Sequence, residues 1–377
     1  MGSAAAQHLA ERGCSVRGFD QFTPPHVYGS SHGLSRIFRQ AYFEDHRYVP
    51  LLMRSFELWQ RLERDSGEHL LQITGSLVLG PRDGELVRRS AESATLFGLP
   101  HETLTSADIK RRFPVFHVEP EWRGLLEHNA GYLRPEACVK QQLHQAEKAG
   151  ALLHTNDRVL AWHADQHGSG VTVRAAGGIY EADHLVITAG PWAPQLLSEL
   201  GLPLRVTRQV LCWFQPKESI EHFREDRLPV YLIEGDEETP LLYGFPLTGA
   251  QNEGVKVALH GSEDDCTPES CDRNILASDE HRIRARLAGT LPGLAGRLLH
   301  AETCLYTMTP DENFLLGPHP QHAAVTIAAG FSGHGFKFAQ VIGEMLANSA
   351  LEREKVPIPN LFSISRFDRS TSVPNPG

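Results

Sequence analysis

The sequence predicts an α/β protein with two discontinuous domains, one built on a covered parallel sheet and one on a mixed sheet. Helix and strand segments of the nucleotide-binding type occur at the start, in the middle and at the end of the 377 residues. Segments of a different character, rich in Pro, Asp and Gly, lie between them. This interleaving predicts a nucleotide-binding domain formed by residues 1–72, 138–211 and 301–377, and a second domain formed by residues 73–137 and 212–300.

The first twenty residues, MGSAAAQHLAERGCSVRGFD, are typical of the second half of a βαβ unit. They predict an alanine-rich helix from Gly2 that ends at Gly13, and then a strand over 14–19 that leads to Asp20. If Gly2 is the third glycine of a G-x-G-x-x-G loop, Asp20 follows it by 18 residues, near the position of the acid that binds a ribose. The alternative is an ordinary alanine-rich helix without a ligand.

The remaining elements follow from hydrophobic spacing and from the positions of glycine and proline. Helices are predicted over 48–64 and 135–149, buried strands over 73–81, 184–190 and 324–330, and short strands over 152–154, 171–174 and 179–181. Gly177 and Gly178 are predicted to form a hairpin turn. A helix through Val341 and Leu346 follows the last buried strand, residues 212–300 are predicted to be strand and loop, and RSTSVPNPG is predicted to be a frayed tail.

Composition and charge argue against several classes of function. A net charge of −10 argues against nucleic acid as a partner, because phosphate binding requires a basic surface. No apolar run approaches the roughly 18–20 residues that span a bilayer, and the sequence shows neither a signal peptide nor a Ser-Lys-Leu terminus. The six cysteines contain no CxxC pair, which argues against a disulfide framework and a zinc site. We therefore expect a cytoplasmic protein with no metal, membrane or nucleic-acid partner.

Two glycine-histidine loops are the strongest candidates for ligand binding. GSSHGLSRIFRQAY (29–42) contains Arg36 and Arg39, which on a helical turn would point to the same side. Their guanidinium groups suit a carboxylate or phosphate, and a surface cluster of ion pairs is the alternative. AGFSGHGFKFA (329–339) has glycines that let backbone amides approach a flat or anionic ligand. Because a cation at a helix start is unfavourable, Lys337 indicates a bound anion, with a solvated lysine as the alternative.

The segment AETCLYTMTPDENF (301–314) places Cys304 and Tyr306 in a strand-like alternation. Taken by itself, Cys304 would be a buried core thiol. Together with the two loops, however, this segment resembles the monomeric sarcosine oxidase, N-methyltryptophan oxidase and peroxisomal sarcosine/pipecolate oxidase family. That family belongs to the glycine oxidase and D-amino-acid oxidase superfamily. The resemblance covers essentially the whole chain and is loosest over 212–300.

The resemblance implies a Rossmann-like FAD-binding domain interleaved with a mixed-sheet substrate domain. It implies that a monomer oxidises a secondary amino acid, N-methylated or cyclic, to an imine, and that O2 takes the electrons and becomes H2O2. Cys304 matches the cysteine whose sulfur is bonded to the 8α-methyl group of the flavin. The other positions that match cofactor-binding residues are Gly2, Asp20, His26, Gly29, Ser30, Arg36, Gly190, Gly333, His334 and Gly335.

The same resemblance implies roles in the reaction. Arg39 and Lys337 match the pair that binds the substrate carboxylate. His260 and Tyr306 match residues that orient the amine, and Lys256 matches the lysine that assists the reaction with oxygen. Arg36, which matches a flavin-contacting position, completes the predicted catalytic set. The alternatives are a flavin dehydrogenase that uses another acceptor and an inactive, truncated paralogue. Sarcosine, N-methyltryptophan and pipecolate all remain candidate substrates.

The sequence departs from the family pattern at two places. Gly317 stands where relatives usually carry Asp. The first strand and the first two loop glycines of the family do not precede Gly2, so we expect an N-terminal truncation or a start site placed too late. Because half of the pyrophosphate loop would then be absent, we expect the 377-residue form to hold less flavin than a form extended upstream. Absorbance of the two purified proteins tests this, and equal flavin content would contradict it.

Overall fold

The computed structural model describes residues 1–165, 170–217, 220–236, 239–249, 254–261, 264–351 and 359–367. Its α-helices are α1 (Gly2–Glu11), α2 (Val49–Ser66), α3 (Glu85–Leu96), α4 (Ser106–Arg112), α5 (Pro135–Lys148), α6 (Ala193–Leu196), α7 (Ala277–Thr290) and α8 (Ala339–Ala350). Its strands are β1 (Arg17–Asp20), β2 (Arg36–Phe38), β3 (Leu71–Ile73), β4 (Ser76–Gly80), β5 (His101–Thr105), β6 (Arg123–Glu127), β7 (Gly131–Leu133), β8 (Leu152–Thr155), β9 (Val159–Ala164), β10 (Val171–Ala175), β11 (Gly178–Ala182), β12 (Leu185–Ile187), β13 (Arg205–Phe214), β14 (Val230–Ile233), β15 (Leu241–Gly244), β16 (Val255–His260), β17 (Asp265–Cys266), β18 (Leu298–Met308), β19 (Leu315–Pro318) and β20 (Val325–Ala329). None of the helices in these ranges has the length and hydrophobicity that a bilayer crossing requires.

Parallel strands lie close to α1 in two separate sheets. β1 pairs with β8, and β12 pairs with β20, whose other edge carries the antiparallel strand β19. The alanine face of α1 packs against α5 and α8, and a Cβ on Gly343 would lie 2.6 Å from the Cβ of Ala4. A Cβ on Gly2 would lie 2.7 Å from Thr188 Oγ1, so glycine lets α1 approach the end of β12 closely.

The largest sheet in the described residues is mixed and has nine strands. Its order is β17-β13-β16-β15-β14-β4-β6-β5, and β18 also pairs with β13. β14 and β4 are parallel, whereas the other pairs are antiparallel. Apolar side chains of the sheet and of α7 form one continuous core. The predicted α/β fold with parallel strands and a mixed sheet is therefore confirmed. The long strands β13 and β18 extend across the expected domain boundaries, and the division into two domains stays a prediction.

A small antiparallel sheet, β2-β7-β3, places the first glycine-histidine loop. Arg36 is the first residue of β2, and Arg39 follows its last residue, Phe38. The expectation that Arg36 and Arg39 lie on one side of a helical turn is wrong. Side chains three apart in an extended chain point to opposite faces, and pairing with β7 selects the extended form.

Two of the predicted buried strands are shorter than expected, each because a glycine adopts left-handed backbone. Residues 73–81 form the last residue of β3 and then β4, because Gly75, with φ of 77°, turns the chain between them. Residues 184–190 are extended only in β12, and Gly190, with φ of 53°, begins a 3-10 helix over Gly190–Trp192.

The expectation that residues 212–300 contain only strands and loops is also wrong, since α7 lies within them. Its sequence, ASDEHRIRARLAGT, has few apolar residues, but Ile283 and Leu287 are buried against the mixed sheet. The hairpin turn is shifted by one residue, because Ala175 pairs with Gly178 and leaves residues 176–177 as the turn. β9 was not expected. The expected frayed tail, 369–377, lies outside the described residues.

Candidate active site

A cavity of approximately 2130 Å³ is lined by residues of both the parallel strands and the mixed sheet. Its lining includes Asp20 at the end of β1, Cys304 in β18 and Lys337 beside α8. All of the predicted site residues except Lys256 line it: Gly2, Asp20, His26, Gly29, Ser30, Arg36, Arg39, Gly190, His260, Cys304, Tyr306, Gly333, His334, Gly335 and Lys337. The fold therefore brings residues from both ends of the chain to one site.

Asp20 and the start of α1 both line this cavity. Asp20 Oδ1 accepts a hydrogen bond from the Phe22 N–H at 2.8 Å and lies 3.4 Å from His26 Nε2. No side chain caps the first turn of α1, so its N–H groups can face an anion. These residues therefore offer an acid for ribose hydroxyls and a helix N-terminus for phosphate.

Cys304 lines the cavity next to Arg36. The thiol is 2% exposed, and Arg36 Nη2 lies 3.6 Å from Cys304 Sγ. Arg36 is held in place by hydrogen bonds to the Ser35 and Ser30 carbonyl oxygens at 2.9 and 3.0 Å. Although burial opposes its charge, the neighbouring Cys304 raises the pKa of Arg36, so it stays cationic. Arg36 therefore holds a buried positive charge next to the Cys304 sulfur.

Lys256 lies beneath the loop that carries Arg36. It is 1% exposed in β16, and its Nζ donates to Gly33 O at 2.6 Å, Ser35 O at 2.8 Å and Ser35 Oγ at 3.3 Å. Burial and the charge of Arg36 hold the pKa of Lys256 well below its usual range. Three acceptors around one Nζ match the three donors of an ammonium group, which opposes that shift. Lys256 is thus a buried donor that fixes the loop.

Arg39 does not face the cavity as a free cation. Its Nη2 donates to both carboxylate oxygens of Glu44, at 2.6 and 2.7 Å, and its guanidinium lies 4.3 Å from the ring centroid of Tyr42. Although burial opposes the charge of Glu44, the Arg39 guanidinium lowers the pKa of that carboxyl to about 2. A carboxylate of the protein itself therefore occupies the fork that was expected to bind a substrate carboxylate.

Lys337 is a second buried basic residue that lines the cavity. Its Nζ donates to His334 O at 2.7 Å, and it lies in the 3-10 helix Phe336–Phe338 that leads into α8. Burial, together with the positive charge of Arg39, lowers the pKa of Lys337 to about 7. His334 itself bonds to Tyr42 Oη through Nδ1 at 2.5 Å and to Glu312 O through Nε2 at 3.0 Å. Both ring nitrogens of His334 thus have protein partners, and these two hydrogen bonds fix the loop that contains Gly333 and Gly335.

His260 and Tyr306 form a neutral pair on the mixed sheet. Tyr306 Oη lies 3.4 Å from His260 Nδ1. Burial lowers the pKa of His260 to about 4 and raises the pKa of Tyr306 well above its usual value, so both are uncharged near neutral pH. A Cβ on Gly333 would lie 2.3 Å from Tyr306 Cε2, and the φ of Gly333 is 79°. Only glycine lets the loop pass so close to this ring.

A family model described as "FAD dependent oxidoreductase" matches residues 1–349. The chain belongs to this family. Monomeric sarcosine oxidase from Streptomyces avermitilis is 44% identical over 352 residues, which cover 93% of this chain and 91% of that protein. N-methyl-L-tryptophan oxidase from Yersinia pestis is 35% identical over 369 residues, which cover 97% of this chain and 96% of that protein. The predicted family, enzyme class and FAD dependence are therefore confirmed.

Solved structures show the same fold. NikD, described as an unusual amino acid oxidase essential for nikkomycin biosynthesis, superposes with a TM-score of 0.82 at 24% identity. The superposition covers 96% of this chain and 94% of that chain. At this identity, the likeness supports the fold and not the substrate.

The residues present in the cavity fit FAD. Gly2 and the uncapped start of α1 suit a pyrophosphate, Asp20 suits a ribose, and Cys304 with Arg36 suits the ring system. The cavity is continuous between these points. Among the described residues, no group of three or more His, Cys, Asp and Glu side chains is placed to hold a metal.

Sequence reasoning missed two acids that shape the site. Glu44 pairs with Arg39, and its only signal in the sequence is its place five residues further on. Glu136 Oε1 accepts hydrogen bonds from the N–H groups of Gly33 at 2.7 Å and Leu34 at 3.1 Å, which fixes the loop before Arg36. An acid in the first turn of α5 is explained by its favourable interaction with the helix dipole. The sequence therefore gives no separate sign that Glu136 also binds Gly33 and Leu34.

We expect carboxylate binding to weaken as pH rises, because Lys337 titrates in the free protein. With a pKa of about 7, Lys337 is charged below neutral pH and loses its proton above it. A bound carboxylate requires the charged form, so Kd for acetate should rise about tenfold per unit above roughly pH 7. Flavin absorbance titrations between about pH 6 and pH 9 measure Kd. The Lys337→Met variant should show no such slope, whereas a constant Kd in the unmodified protein would contradict the prediction.

Proposed function

We propose that this FAD-dependent oxidoreductase oxidises secondary amino acids, N-methylated or cyclic, and that O2 accepts the electrons with release of H2O2. The observation that carries the proposal is a pair of buried cations, Arg39 and Lys337, in the same cavity as Cys304 and Arg36. The named relatives, which act on sarcosine and N-methyl-L-tryptophan, support the substrate class. Sarcosine, N-methyltryptophan and pipecolate are the candidates to compare.

The substrate carboxylate would bind between Arg39 and Lys337. A guanidinium fork and a point charge together hold a carboxylate in a defined orientation. Because Glu44 now occupies Arg39 Nη2, binding requires Glu44 to release that group. Orientation by two anchors would place the carbon next to the amine nitrogen at a fixed point in the cavity.

His260 and Tyr306 would orient the amine as hydrogen-bonding groups without charge. The reaction requires the unprotonated amine, since a protonated nitrogen has no lone pair to promote loss of the hydride. The positive charges of Arg39 and Lys337 disfavour a third cation nearby and so lower the pKa of a bound amine. FAD supplies the acceptor of the hydride when it is bound. The resulting imine hydrolyses in water.

We infer that the flavin is attached covalently through Cys304 Sγ. Arg36 Nη2, at 3.6 Å from Sγ, keeps a positive charge next to the sulfur that would form the bond. We also infer that Lys256 promotes electron transfer to O2, since a buried cation would stabilise superoxide. Its contacts with the Gly33 and Ser35 carbonyl oxygens place it directly behind the loop that carries Arg36.

The decisive experiment mixes flavin-loaded protein with a panel of N-alkyl and cyclic amino acids without oxygen. We expect the flavin absorbance to bleach with secondary amino acids and to stay unchanged with the matching amines that lack a carboxylate. Readmission of air should restore the absorbance and yield one H2O2 per substrate. Bleaching without peroxide would indicate a dehydrogenase with another acceptor. Absence of bleaching with every member of the panel would refute the proposed substrate class.

Glu44→Gln is expected to tighten carboxylate binding, because the competing negative charge on Arg39 is removed. Hydrogen bonds between charged groups contribute about 1.5–3 kcal/mol, so we expect Kd for acetate to fall at least about tenfold. Flavin absorbance titrations at one pH measure this. Glu57→Gln, at an exposed acid of α2, serves as the control and should leave Kd unchanged. Weaker binding in Glu44→Gln would show that Glu44 supports the carboxylate site instead of competing for it.

A further inference from the structure

Glu127 is a buried acid at the end of β6 in the mixed sheet. It is 2% exposed, and β6 is paired on both sides, so that Ser76 of β4 and His101 of β5 lie opposite Glu127. Burial of a carboxylate is unfavourable unless polar groups of the protein bind it. Glu127 therefore stands on a rigid part of the fold and requires hydrogen-bond donors close by.

Those donors come from the segment that follows β2. Glu127 Oε1 accepts a hydrogen bond from the Gln40 N–H at 2.8 Å, and Glu127 Oε2 accepts one from the Ala41 N–H at 3.0 Å. The next N–H group along the chain, that of Tyr42, donates to Ser93 Oγ at 3.0 Å. β2 ends before these residues, so side chains here bind backbone groups that strand pairing would otherwise bind.

The same segment supports the guanidinium group of Arg39. Arg39 Nη1 donates to Ala41 O at 3.1 Å, whereas Arg39 Nη2 donates to the carboxylate of Glu44. When a substrate carboxylate replaces Glu44 at Nη2, the bond from Nη1 to Ala41 O is the one that can persist. Glu127 binds the N–H group of Ala41, and Arg39 binds its carbonyl group. The orientation of Arg39 therefore depends on Glu127 through Ala41.

We propose that Glu127 is a positioning residue for the carboxylate site. It fixes the backbone of Gln40 and Ala41, so that Arg39 keeps its orientation while Glu44 exchanges with the carboxylate of the substrate. The proposal rests on the proposed function for the role of Arg39 as a carboxylate anchor. It adds that the binding strength of this anchor is set by an acid of the mixed sheet.

A purely electrostatic role of Glu127 would have the opposite effect on binding. Burial raises the pKa of Glu127, and its N–H donors and the charge of Arg39 oppose that shift. A negative charge near Arg39 competes with a bound carboxylate, so removal of charge alone would tighten binding, as expected for Glu44. Loss of the two N–H bonds releases the segment and weakens binding. The sign of the change in Kd therefore distinguishes positioning from charge.

Glu127→Gln is the first test, because it keeps the size of the side chain but replaces one acceptor oxygen with an NH2 group. Flavin absorbance titrations of the flavin-loaded, full-length protein with acetate at one pH measure Kd. We expect Kd to rise at least about tenfold, the order of one hydrogen bond to a charged group. Glu102→Gln, at a partly exposed acid of the neighbouring strand β5, is the matched control and should leave Kd unchanged.

Glu127→Asp is the second test, because it keeps the charge but shortens the side chain by one carbon. A shorter side chain cannot hold both N–H groups as Glu127 does, so positioning predicts weaker acetate binding, whereas a role of charge alone predicts an unchanged Kd. In both variants, stopped-flow absorbance should show slower anaerobic reduction by the best substrate of the amino-acid panel and unchanged reoxidation by O2. A general loss of structure would impair both half-reactions.

Arg39→Met separates this proposal from the proposed function. If Arg39→Met binds acetate as tightly as the unmodified protein, the carboxylate site is wrong, and the role of Glu127 is overturned with it. If Arg39→Met binds acetate weakly while both Glu127 variants bind it normally or more tightly, only the role of Glu127 is overturned. Failure of both Glu127 variants to fold or to hold flavin, measured by circular dichroism and absorbance, would show a structural role only and would also overturn the proposal.

Discussion

Cys304→Ser is expected to abolish covalent attachment of the flavin completely. A serine hydroxyl has a far higher pKa than a thiol, so Arg36 at this position cannot generate the corresponding nucleophile. Acid precipitation of the flavin-loaded protein measures the effect, since covalently bound flavin stays with the pellet and free flavin stays in solution. We expect fluorescence in the pellet of the unmodified protein and none in the pellet of Cys304→Ser.

Two comparisons make this result specific to Cys304. Cys14→Ser removes a thiol in the loop that follows α1, and this variant should keep the flavin in the pellet. Cys304→Ser loaded with excess FAD should still bind it without a covalent bond, because Asp20 and the start of α1 are unaltered. Flavin fluorescence that remains in the acid pellet of Cys304→Ser would place the attachment elsewhere.

Lys256→Met is expected to slow the reaction with oxygen by about 10²–10³-fold, the usual cost of removing one preorganised hydrogen-bond donor. Methionine fills a similar volume but cannot stabilise developing superoxide. Reduction by an amino acid should change much less, since Lys256 contacts Gly33 and Ser35 and not the carboxylate anchors Arg39 and Lys337. Stopped-flow absorbance measures anaerobic reduction and reoxidation by O2 separately.

Lys256→Met removes a positive charge and also removes the hydrogen bonds that Lys256 donates to the Gly33 and Ser35 carbonyl oxygens. The experiment must distinguish these two effects. A loop that loses its position would impair flavin binding and both half-reactions together. A loss of charge alone would slow only reoxidation. Lys110→Met, at an exposed lysine of α4, is the matched control and should alter neither rate. Equal reoxidation rates in Lys256→Met and the unmodified protein would refute a role for Lys256 with oxygen.

Local patterns predicted the elements that surround the site. The alanine-rich helix after Gly2, the helix from Pro135 and the strand before the FSGHGFKF loop all lie where their spacing indicates. These signals are local because glycine, proline and a run of small or apolar residues restrict the backbone at their own positions. α7 was missed because its burial depends on two apolar side chains and on a distant sheet.

The site shows the same difference between what local sequence patterns predict and what contacts between distant residues decide. The loops around Arg36 and Lys337 are visible as motifs, but β-pairing with β7 decides that Arg36 lies in a strand. The sequence pattern around Lys256 is that of an ordinary lysine in a strand. Only the folded structure shows that Lys256 is buried and donates hydrogen bonds to the Gly33 and Ser35 carbonyl oxygens. Glu44 carries no motif, and its pairing with Arg39 is evident only from the folded geometry.

By itself, the sequence determined the class of fold, the family and the residues that carry chemical groups suited to flavin and carboxylate binding. The tertiary structure alone decided which of these groups meet. It placed Cys304 beside Arg36, put Lys256 behind the loop, and paired Arg39 with an acid of the same chain. The reason is physical: charge, nucleophilicity and pKa depend on neighbours a few ångströms away, and those neighbours come from distant parts of the chain.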